Sequence, residues 1–338
     1  MNAQTLHDRL TPWAAATLGT SQVSSVQALP GHAGLGFRFD VSRDGGIDRY
    51  VIRMAPPGVR RSGSTDVLRQ VPLLRGLERA GFPVARVIWA SSEEEFFGTD
   101  AYVQEFLPGA PLSMEKDADV DRPPQDVVHR HVASAVDALA QLHSLDWQQT
   151  VPGWQTPSTL VEDVAFWDAL RPKMWDERSI DAAGTLATRL RATAPSSRRI
   201  GIFHGDFHTS NIIFAEDASI NGVLDWELSG IGAQLLDIAW LSLFTDPACW
   251  APEHDDRMGV AVDPEWLYEL YCDRTGADRL DLNWFKAFAC FRFAVIIGVN
   301  LRLHRLGRRI DPFWDGLASS VDALIARGEL LLDDPRLP

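Results

Sequence analysis

Lysine is nearly absent from this sequence of 338 residues. It occurs at Lys116, Lys173 and Lys286, and the rest of the 32 basic residues are arginines. No mechanism can therefore use a lysine that lies N-terminal to Lys116. The phosphate-binding motif G-x-x-x-x-G-K-[ST], which depends on its lysine, is also excluded.

Cysteines and long apolar segments are few as well. Cys249, Cys272 and Cys290 form neither a disulfide framework nor a C-x-x-C motif, so we expect reduced thiols and a cytoplasmic location. The longest apolar candidate, 293–301, is shorter than the roughly 18 residues that span a membrane, so we expect no membrane association. The N-terminal residues include an acid and an arginine where a signal peptide needs an apolar stretch, and none is expected.

Acidic residues outnumber basic ones. The 46 Asp and Glu residues against 32 Lys and Arg residues give a formal net charge of −14. A nucleic-acid-binding protein needs a positive field against the phosphates, so we expect no nucleic-acid partner. Apolar residues make up 46% and charged residues 23%, which is ordinary for a folded protein, and the length suits about two domains.

The first hundred or so residues show short alternating patterns typical of strands. The periodicity predicts a helix over 3–18 and a second helix over 65–80, which ends before Gly81. Strands are predicted over 36–41, 50–54, 86–90 and 101–106, the first two joined as a hairpin.

Helical periodicity dominates after Pro108-Gly109. It covers 125–145, 158–194 and 264–330, with one island of strands over 200–225. We therefore predict an α+β protein with a small β-rich nucleotide-binding lobe over 1–107 and a larger, mainly helical catalytic and acceptor-binding lobe over 108–338. Ligands tend to bind between such domains.

The island of strands contains the polar side chains of most interest. The apolar strand Ile200–Phe203 runs into the polar loop HGDFHTSN, and the strand Ile212–Phe214 follows. The turn EDASING then reverses the chain, and the returning strand ends at Asp225.

Hairpin pairing brings three of these polar residues to one end of the hairpin. Asp225 comes opposite the start of the strand at Ile212, and Asp206 and Asn211 precede that strand. Two carboxylates and a carboxamide oxygen suit a hard cation such as Mg²⁺, bound together with substrate phosphates.

Two other interpretations of these residues stay open. Asp and Asn often cap turns without binding a ligand. His204, Asp206 and His208 form an H-x-D-x-H pattern that, with Asp225 and Asp237, indicates a transition-metal hydrolase as an alternative. Such a hydrolase would have no need of a β-rich first lobe.

The spacing from Asp206 to Asn211 matches the kinase loop H-R-D-x-x-x-x-N, and Asp225 opens a tripeptide placed as D-F-G is. HGDFHTSN, GVLDWE and LLDIAW together resemble the aminoglycoside phosphotransferase and choline kinase-like superfamily, small-molecule kinases with a bilobal protein-kinase-like fold. LPGHAGLGFRF resembles the hairpin that covers the nucleotide in this superfamily, and YVIRMAPPG resembles the strand that grips the phosphates. AYVQEFLPG resembles the hinge between the lobes, and ALAQLHSLD resembles the helix before the catalytic region. The arginine in YVIR and the DWE tripeptide make the sequence most similar to the kinase-like domains fused to acyl-CoA dehydrogenases.

The resemblance implies the following roles on the catalytic side. Asp206 matches the catalytic aspartate, which accepts or orients the proton of the attacking hydroxyl. Asn211 and Asp225 match the two Mg²⁺ ligands. Asp237 matches an acid that supports the catalytic loop.

On the nucleotide side, the resemblance implies ATP as the phosphoryl donor, with GTP as an alternative. Arg53 stands where the family grips the α- and β-phosphates. The backbone of Glu105 and Leu107 stands where the hinge binds the adenine edge.

The sequence departs from the family at the phosphate grip. Arg53 replaces the usual lysine, and the helix glutamate that normally pairs with that base aligns with Gln70. Asp66 or Glu78 could be the acidic partner of Arg53 instead. These departures indicate, as an alternative to an active kinase, a nucleotide-binding pseudokinase.

The acceptor is expected to be a hydroxylated small molecule. The superfamily acts on antibiotics, choline-like amines, sugars and hydroxyacyl thioesters. The sequence of this chain does not indicate which of these classes is the acceptor. The chain has 12 tryptophans, several of them over 147–175 and 240–266, which suit either an aromatic acceptor pocket or core packing. The oligomeric state stays open.

Overall fold

The computed structural model describes residues 2–29, 35–43, 45–56, 58, 61, 63–92, 96–117, 119–196 and 199–334. The chain divides into two compact units. The first unit contains Met1–Gly109, Trp147–Trp154 and Asn221–Leu228, and the second contains Ala110–Asp146, Gln155–Ile220 and Ser229–Pro338. The predicted first lobe over 1–107 lacks the two later segments, Trp147–Trp154 and Asn221–Leu228, that belong to the first unit.

The described residues form nine strands and eleven α-helices. The strands are β1 (Val23–Ala28), β2 (Leu35–Arg43), β3 (Gly46–Met54), β4 (Val87–Ser91), β5 (Ala101–Glu105), β6 (Ile200–Phe203), β7 (Ile212–Phe214), β8 (Ile220–Val223) and β9 (Gly230–Ala233). The helices are α1 (Ala3–Leu18), α2 (Gln70–Arg79), α3 (Gln125–Ser144), α4 (Trp147–Thr150), α5 (Leu160–Asp168), α6 (Glu177–Ala192), α7 (Leu235–Thr245), α8 (Pro264–Thr275), α9 (Leu282–Arg305), α10 (Phe313–Gly316) and α11 (Ser320–Asp333).

The first unit is built on an antiparallel sheet in the order β1-β2-β3-β5-β4. Helix α1 has the bounds that its periodicity predicts. The Asn2 side chain caps it by accepting the Thr5 N–H at 2.9 Å, and Gly19 ends it in a left-handed conformation. Its Trp13 lies edge-on to Phe39 of the sheet, with 5.8 Å between ring centroids, so helix and sheet share one core.

The predicted hairpin forms from β2 and β3, and its register places Gly36 opposite Arg53. Residues 30–34 of the expected nucleotide-covering segment lie outside the described residues. The helix predicted over 65–80 starts later than expected, at Gln70, because Pro72 can be accommodated only in the first helical turn. A 3-10 turn, Val67–Arg69, precedes it.

The second unit is mainly helical and is organised around α9. An 18-residue window of this helix has a mean hydropathy of 1.5, which by length and composition would suffice to cross a membrane. In the fold, 89% of that window is buried, and α9 packs against α6, α7 and α11. It is therefore the core helix of the unit.

Two short sheets border the polar loop that the sequence singles out. Strand β6 pairs antiparallel with β9, from Ile200 opposite Ala233 to Phe203 opposite Gly230. Strands β7 and β8 form the predicted hairpin sheet. Strand β9 was not predicted from the sequence, but its pairing with β6 fixes the strand that enters the loop 204–211.

Candidate active site

The loop 204–211 is held by a buried carboxylate. Asp237, at the start of α7, accepts the backbone N–H of His204 and that of Gly205, each at 2.7 Å. The Asp237 side chain is fully buried, and His143 Nε2 lies 3.3 Å from it. Gly205 has φ of +85°, a conformation that residues with a side chain rarely adopt, which explains the glycine in HGD.

Asp206 follows directly, and its two carboxylate oxygens have different partners. The Trp240 indole Nε1–H donates to Oδ1 at 2.8 Å, and the Asn211 amide Nδ2–H donates to Oδ2 at 3.1 Å. His208 Nε2 lies 3.5 Å from Oδ1. The Asp206 side chain is 27% exposed, so the carboxylate is both oriented and accessible.

The same neighbours keep Asp206 ionised. Burial alone would raise its pKa, but the imidazoles of His208 and His204 and the Trp240 N–H hold the pKa of this carboxyl well below its usual range. A carboxylate of low pKa is a weak base, so it suits the orientation of a hydroxyl in a loose phosphoryl-transfer transition state.

Asn211 can offer an oxygen to a cation. Its Nδ2 donates to the Asp206 backbone carbonyl at 3.0 Å as well as to the Asp206 carboxylate. The amide oxygen is therefore the atom that remains for a ligand, and hard cations prefer such oxygens. The donor chemistry of Asn211 thus fits Mg²⁺.

Arg53 lies in the middle of the first unit's sheet, between Gly36 on β2 and Tyr102 on β5. Its side chain is 25% exposed, and its Nη1 lies 3.8 Å from a carboxylate oxygen of Glu227. Burial would lower the pKa of Arg53, but Tyr102, Asp225 and Glu227 outweigh it and raise that pKa. Arg53 is therefore a fixed positive charge on the strand expected to grip phosphates.

The partner of Arg53 differs from the expected one. The expected partner was Gln70, Asp66 or Glu78, in or near α2, whereas Arg53 forms its ion pair with Glu227. Asp66 instead caps the preceding turn by accepting the Arg69 N–H at 3.2 Å. The reason is tertiary, because the segment 221–228 joins the first unit.

The expected roles of Gln70, Glu105 and Leu107 in nucleotide binding stay predictions. Gln70 is buried at the start of α2. The Glu105 carboxylate accepts a hydrogen bond from Arg86 Nε at 3.0 Å, and the Glu105 N–H donates to the Arg86 carbonyl at 3.0 Å. Leu107 is half-buried, and its side chain lies against Gly222.

Asp225 is placed by an unusual backbone. It has φ of +62°, in the left-handed region that costs free energy for a residue other than glycine and that recurs at functional sites. Trp226 anchors the turn, with its Nε1–H donating to the Val223 carbonyl at 3.0 Å and its ring 5.8 Å from that of Phe82.

The loop brings two of the three predicted metal-site residues together, Asp206 and Asn211. Asp225 belongs to the segment 221–228 of the first unit. The joining of all three at one Mg²⁺ stays a prediction. Two partners escaped the sequence analysis, Glu227 and Trp240. The signals that could have found them are the acid two residues after Asp225 and the tryptophan one helical turn after Asp237.

Within the described part of the chain, the ligand set of a transition-metal hydrolase is not assembled. His204 is buried, and its Nδ1 accepts the Asp206 N–H at 3.1 Å. The described residues contain no group of three or more His, Cys, Asp or Glu side chains that could hold a metal ion. The H-x-D-x-H interpretation is therefore not supported.

An antiparallel-sheet lobe followed by a helical lobe that carries an HGD loop defines a kinase-like phosphotransferase fold. A model of the phosphotransferase enzyme family matches residues 29–270. The chain belongs to this family, as its motifs predict.

Curated relatives confirm the branch that the sequence resembles. Acyl-CoA dehydrogenase family member 11 of Mus musculus is 31% identical over 295 residues, which are 84% of this chain and 37% of that protein. The Homo sapiens protein of the same name is 30% identical over 264 residues, 74% of this chain and 33% of that protein. The chain thus spans about a third of the length of these relatives.

Solved structures confirm the fold. A candidate aminoglycoside phosphotransferase of Ralstonia eutropha superposes with a TM-score of 0.74 at 21% identity, covering 96% of this chain and 97% of that one. A thermostable mutant of an aminoglycoside phosphotransferase, in a ternary complex with AMP-PNP and hygromycin B, has a TM-score of 0.59 at 14% identity and covers 97% and 99% of the two chains. The predicted α+β kinase-like fold is correct.

Proposed function

We propose that this protein transfers the γ-phosphoryl group of Mg·ATP to a hydroxyl of a small molecule, with Asp206 as the catalytic residue. The observation that carries the proposal is the Asp206 carboxyl group, whose two oxygens accept hydrogen bonds from Trp240 and Asn211. The loop that bears it is fixed by Asp237, so the carboxylate needs little rearrangement before reaction.

In the proposed reaction, the acceptor oxygen forms a bond to the γ-phosphorus while the bond from that phosphorus to the β–γ bridging oxygen breaks. ADP leaves with the electron pair of that bond. Asp206 orients the attacking hydroxyl and takes its proton, which then passes to solvent. The contribution of the protein is positioning and charge neutralisation rather than strong base catalysis.

Asn211 through its amide oxygen and Asp225 through its carboxylate would hold the metal. Mg²⁺ bound there would neutralise charge on the phosphate oxygens. On the nucleotide side, Arg53 would grip the α- and β-phosphates, and a guanidinium suits phosphate geometry well. The AMP-PNP complex of a structural neighbour supports ATP, with GTP as an alternative donor.

Aromatic rings beside the loop support an acceptor with an apolar part. The half-buried Phe244 lies 5.1 Å from the His208 ring and 5.5 Å from Trp240, measured between centroids. Such a surface would bind the carbon skeleton of an organic acceptor while Asp206 binds its hydroxyl.

The test is a screen of hydroxylated small molecules with γ-labelled ATP and Mg²⁺, with a parallel arm that uses labelled GTP. We expect label to appear as a phosphate ester on one class of acceptor, and to be lost with EDTA. Nucleotide binding without transfer to any acceptor, or to water, would favour the pseudokinase and contradict the proposal.

A further inference from the structure

A buried arginine lies beside the candidate catalytic aspartate. Arg292 lies on α9 between two phenylalanines, and it is only 4% exposed although its side chain is charged. Its Nη2 donates to the Gly205 backbone carbonyl at 2.6 Å. A buried guanidinium is costly unless it is paired, so its presence in an apolar helix needs an explanation.

The guanidinium of Arg292 is stacked between two indoles. Its central carbon lies 4.4 Å from the ring centroid of Trp240 and 4.8 Å from that of Trp167. Burial lowers the pKa of Arg292 to about 10, with Asp206, Asp237 and Asp163 opposing the shift. The group stays charged near neutral pH and offsets the carboxylates around the loop.

The Trp240 ring is restrained on its edges as well as on its face. The Phe244 and Phe293 centroids lie 5.5 and 5.6 Å from it, in edge-on arrangements. This restraint aims the indole N–H at Asp206 Oδ1, 2.8 Å away. Trp240 stands one helical turn after Asp237, so one face of α7 holds both the backbone of the loop and its carboxylate.

We propose that Trp240 is a positioning residue for phosphoryl transfer, and that Arg292 keeps its indole aimed at Asp206 while fixing the Gly205 carbonyl. The proposal rests on the proposed function, in which Asp206 is catalytic. The indole N–H restricts the carboxylate to one rotamer, so that the acceptor hydroxyl meets it in a single geometry.

The first test compares Trp240→Phe with Trp284→Phe. Both changes remove a buried indole N–H, but that of Trp284 donates to the Leu190 carbonyl at 3.1 Å and does not touch the loop. We expect Trp240→Phe to lower kcat roughly 10- to 100-fold with the KM for ATP nearly unchanged, since only orientation at the reacting centre is lost. Turnover is measured with Mg·ATP and the acceptor from the screen, or with water as acceptor.

Arg292→Lys is the second variant. A lysine can still donate to the Gly205 carbonyl but cannot stack as a planar ion between two indoles. We expect a fall in kcat in the same direction as that of Trp240→Phe. Parental kcat in both variants would overturn the proposal.

A spectroscopic test does not depend on turnover. In the ¹⁵N-labelled protein, the Trp240 indole signal is assigned by its loss in Trp240→Phe. Replacing Asp206 by alanine should shift that signal and speed its exchange with solvent, while the Trp284 signal stays in place. An unmoved Trp240 signal would show that the hydrogen bond is absent.

The outcomes separate the two proposals. Parental turnover in Asp206→Ala contradicts the proposed function itself. Loss of turnover in Asp206→Ala together with parental kcat in Trp240→Phe contradicts only the positioning role.

Discussion

The loop 204–211 and the surroundings of Arg53 are held in different ways. The loop backbone is fixed by a fully buried carboxylate that accepts two N–H groups at 2.7 Å each. Arg53 is 25% exposed, and its carboxylate partner lies at 3.8 Å, beyond hydrogen-bond distance. Geometry constrains the loop, whereas charge is the main constraint around Arg53.

This difference accounts for where the chain follows its family and where it departs. A loop that must orient a hydroxyl depends on the position of each donor, and it retains the full HGDxxxxN pattern. A group that neutralises phosphates needs a positive charge with N–H donors, which arginine supplies as lysine does. The substitutions below test this contrast.

The largest effect is expected in the loop. Asn211→Ala removes the donor to Asp206 and the oxygen proposed for Mg²⁺, and should lower kcat roughly 10²- to 10³-fold. The Mg²⁺ concentration for half-maximal turnover should rise as well. Asn300→Ala is the matched control, because its amide donates to the Ile296 carbonyl at 2.9 Å within α9. Equal kcat in the two variants would refute a geometric role of Asn211.

The next largest effect is expected for Asp237→Asn, on the stability of the folded protein. Each carboxylate oxygen of Asp237 accepts one backbone N–H, so an amide group must face one donor with another donor. We expect the free energy of unfolding to fall by about 2–4 kcal/mol. Urea denaturation measures it, with the exposed turn residue Asp217 changed to Asn as the control. A loss no larger than that of the control would contradict the anchoring role.

A smaller effect is expected at Arg53, the residue proposed to bind the phosphates. Arg53→Met removes a charge-assisted contact and should raise the KM for ATP roughly 10- to 100-fold, with a smaller change in kcat. Arg53→Lys should recover much of that loss if charge matters more than geometry. A collapse of kcat in Arg53→Lys with the KM unchanged would reverse the contrast between the two regions.

The smallest effect concerns stability rather than chemistry in the second unit. Burial lowers the pKa of His254 to about 4, Arg257 adds to the shift and Asp255 opposes it. The pKa of His254 in the unfolded chain is about 6.5. Below that pH, the unfolded chain binds a proton at His254 that the folded chain does not bind, so the free energy of unfolding decreases as the pH falls from about 6.5 toward 4. The His254 ring stacks on Trp250 with 4.3 Å between centroids. His254→Phe, which keeps an aromatic ring there, should remove about 2 kcal/mol of this loss at pH 5.

Urea unfolding at neutral pH and at pH 5 measures the His254 effect in both proteins. An equal loss of stability in the parent and in His254→Phe would show that His254 is protonated in the folded state.

Local patterns predicted the elements that carry strong periodicity. Helix α1 and the hairpin of β2 and β3 follow directly from apolar spacing and turn residues. The predicted start of α2 was wrong, because Pro72 fits only in the first helical turn and the helix therefore begins at Gln70. Strand β9 was missed because its sequence, GIGA, is too short and glycine-rich to show an alternation.

Motif spacing predicted the members of the site better than their partners. Asp206 and Asn211 follow from the HGDxxxxN loop, and the structure brings them together. The pairings of Arg53 with Glu227 and of Asp206 with Trp240 join residues that are 174 and 34 positions apart in sequence. Such contacts depend on tertiary folding, and the local positions of Glu227 and Trp240 beside the motifs mark these residues without identifying their partners.

The most direct test of the account is a single-turnover comparison of the parent protein with Asp206→Asn at saturating Mg·ATP and acceptor. Asparagine retains the size and the hydrogen bond to Trp240 but cannot orient and accept the hydroxyl proton as a carboxylate does. We expect the rate of γ-phosphoryl transfer to fall roughly 10³-fold or more, with nucleotide affinity retained. An unchanged transfer rate in Asp206→Asn would contradict the catalytic role of Asp206.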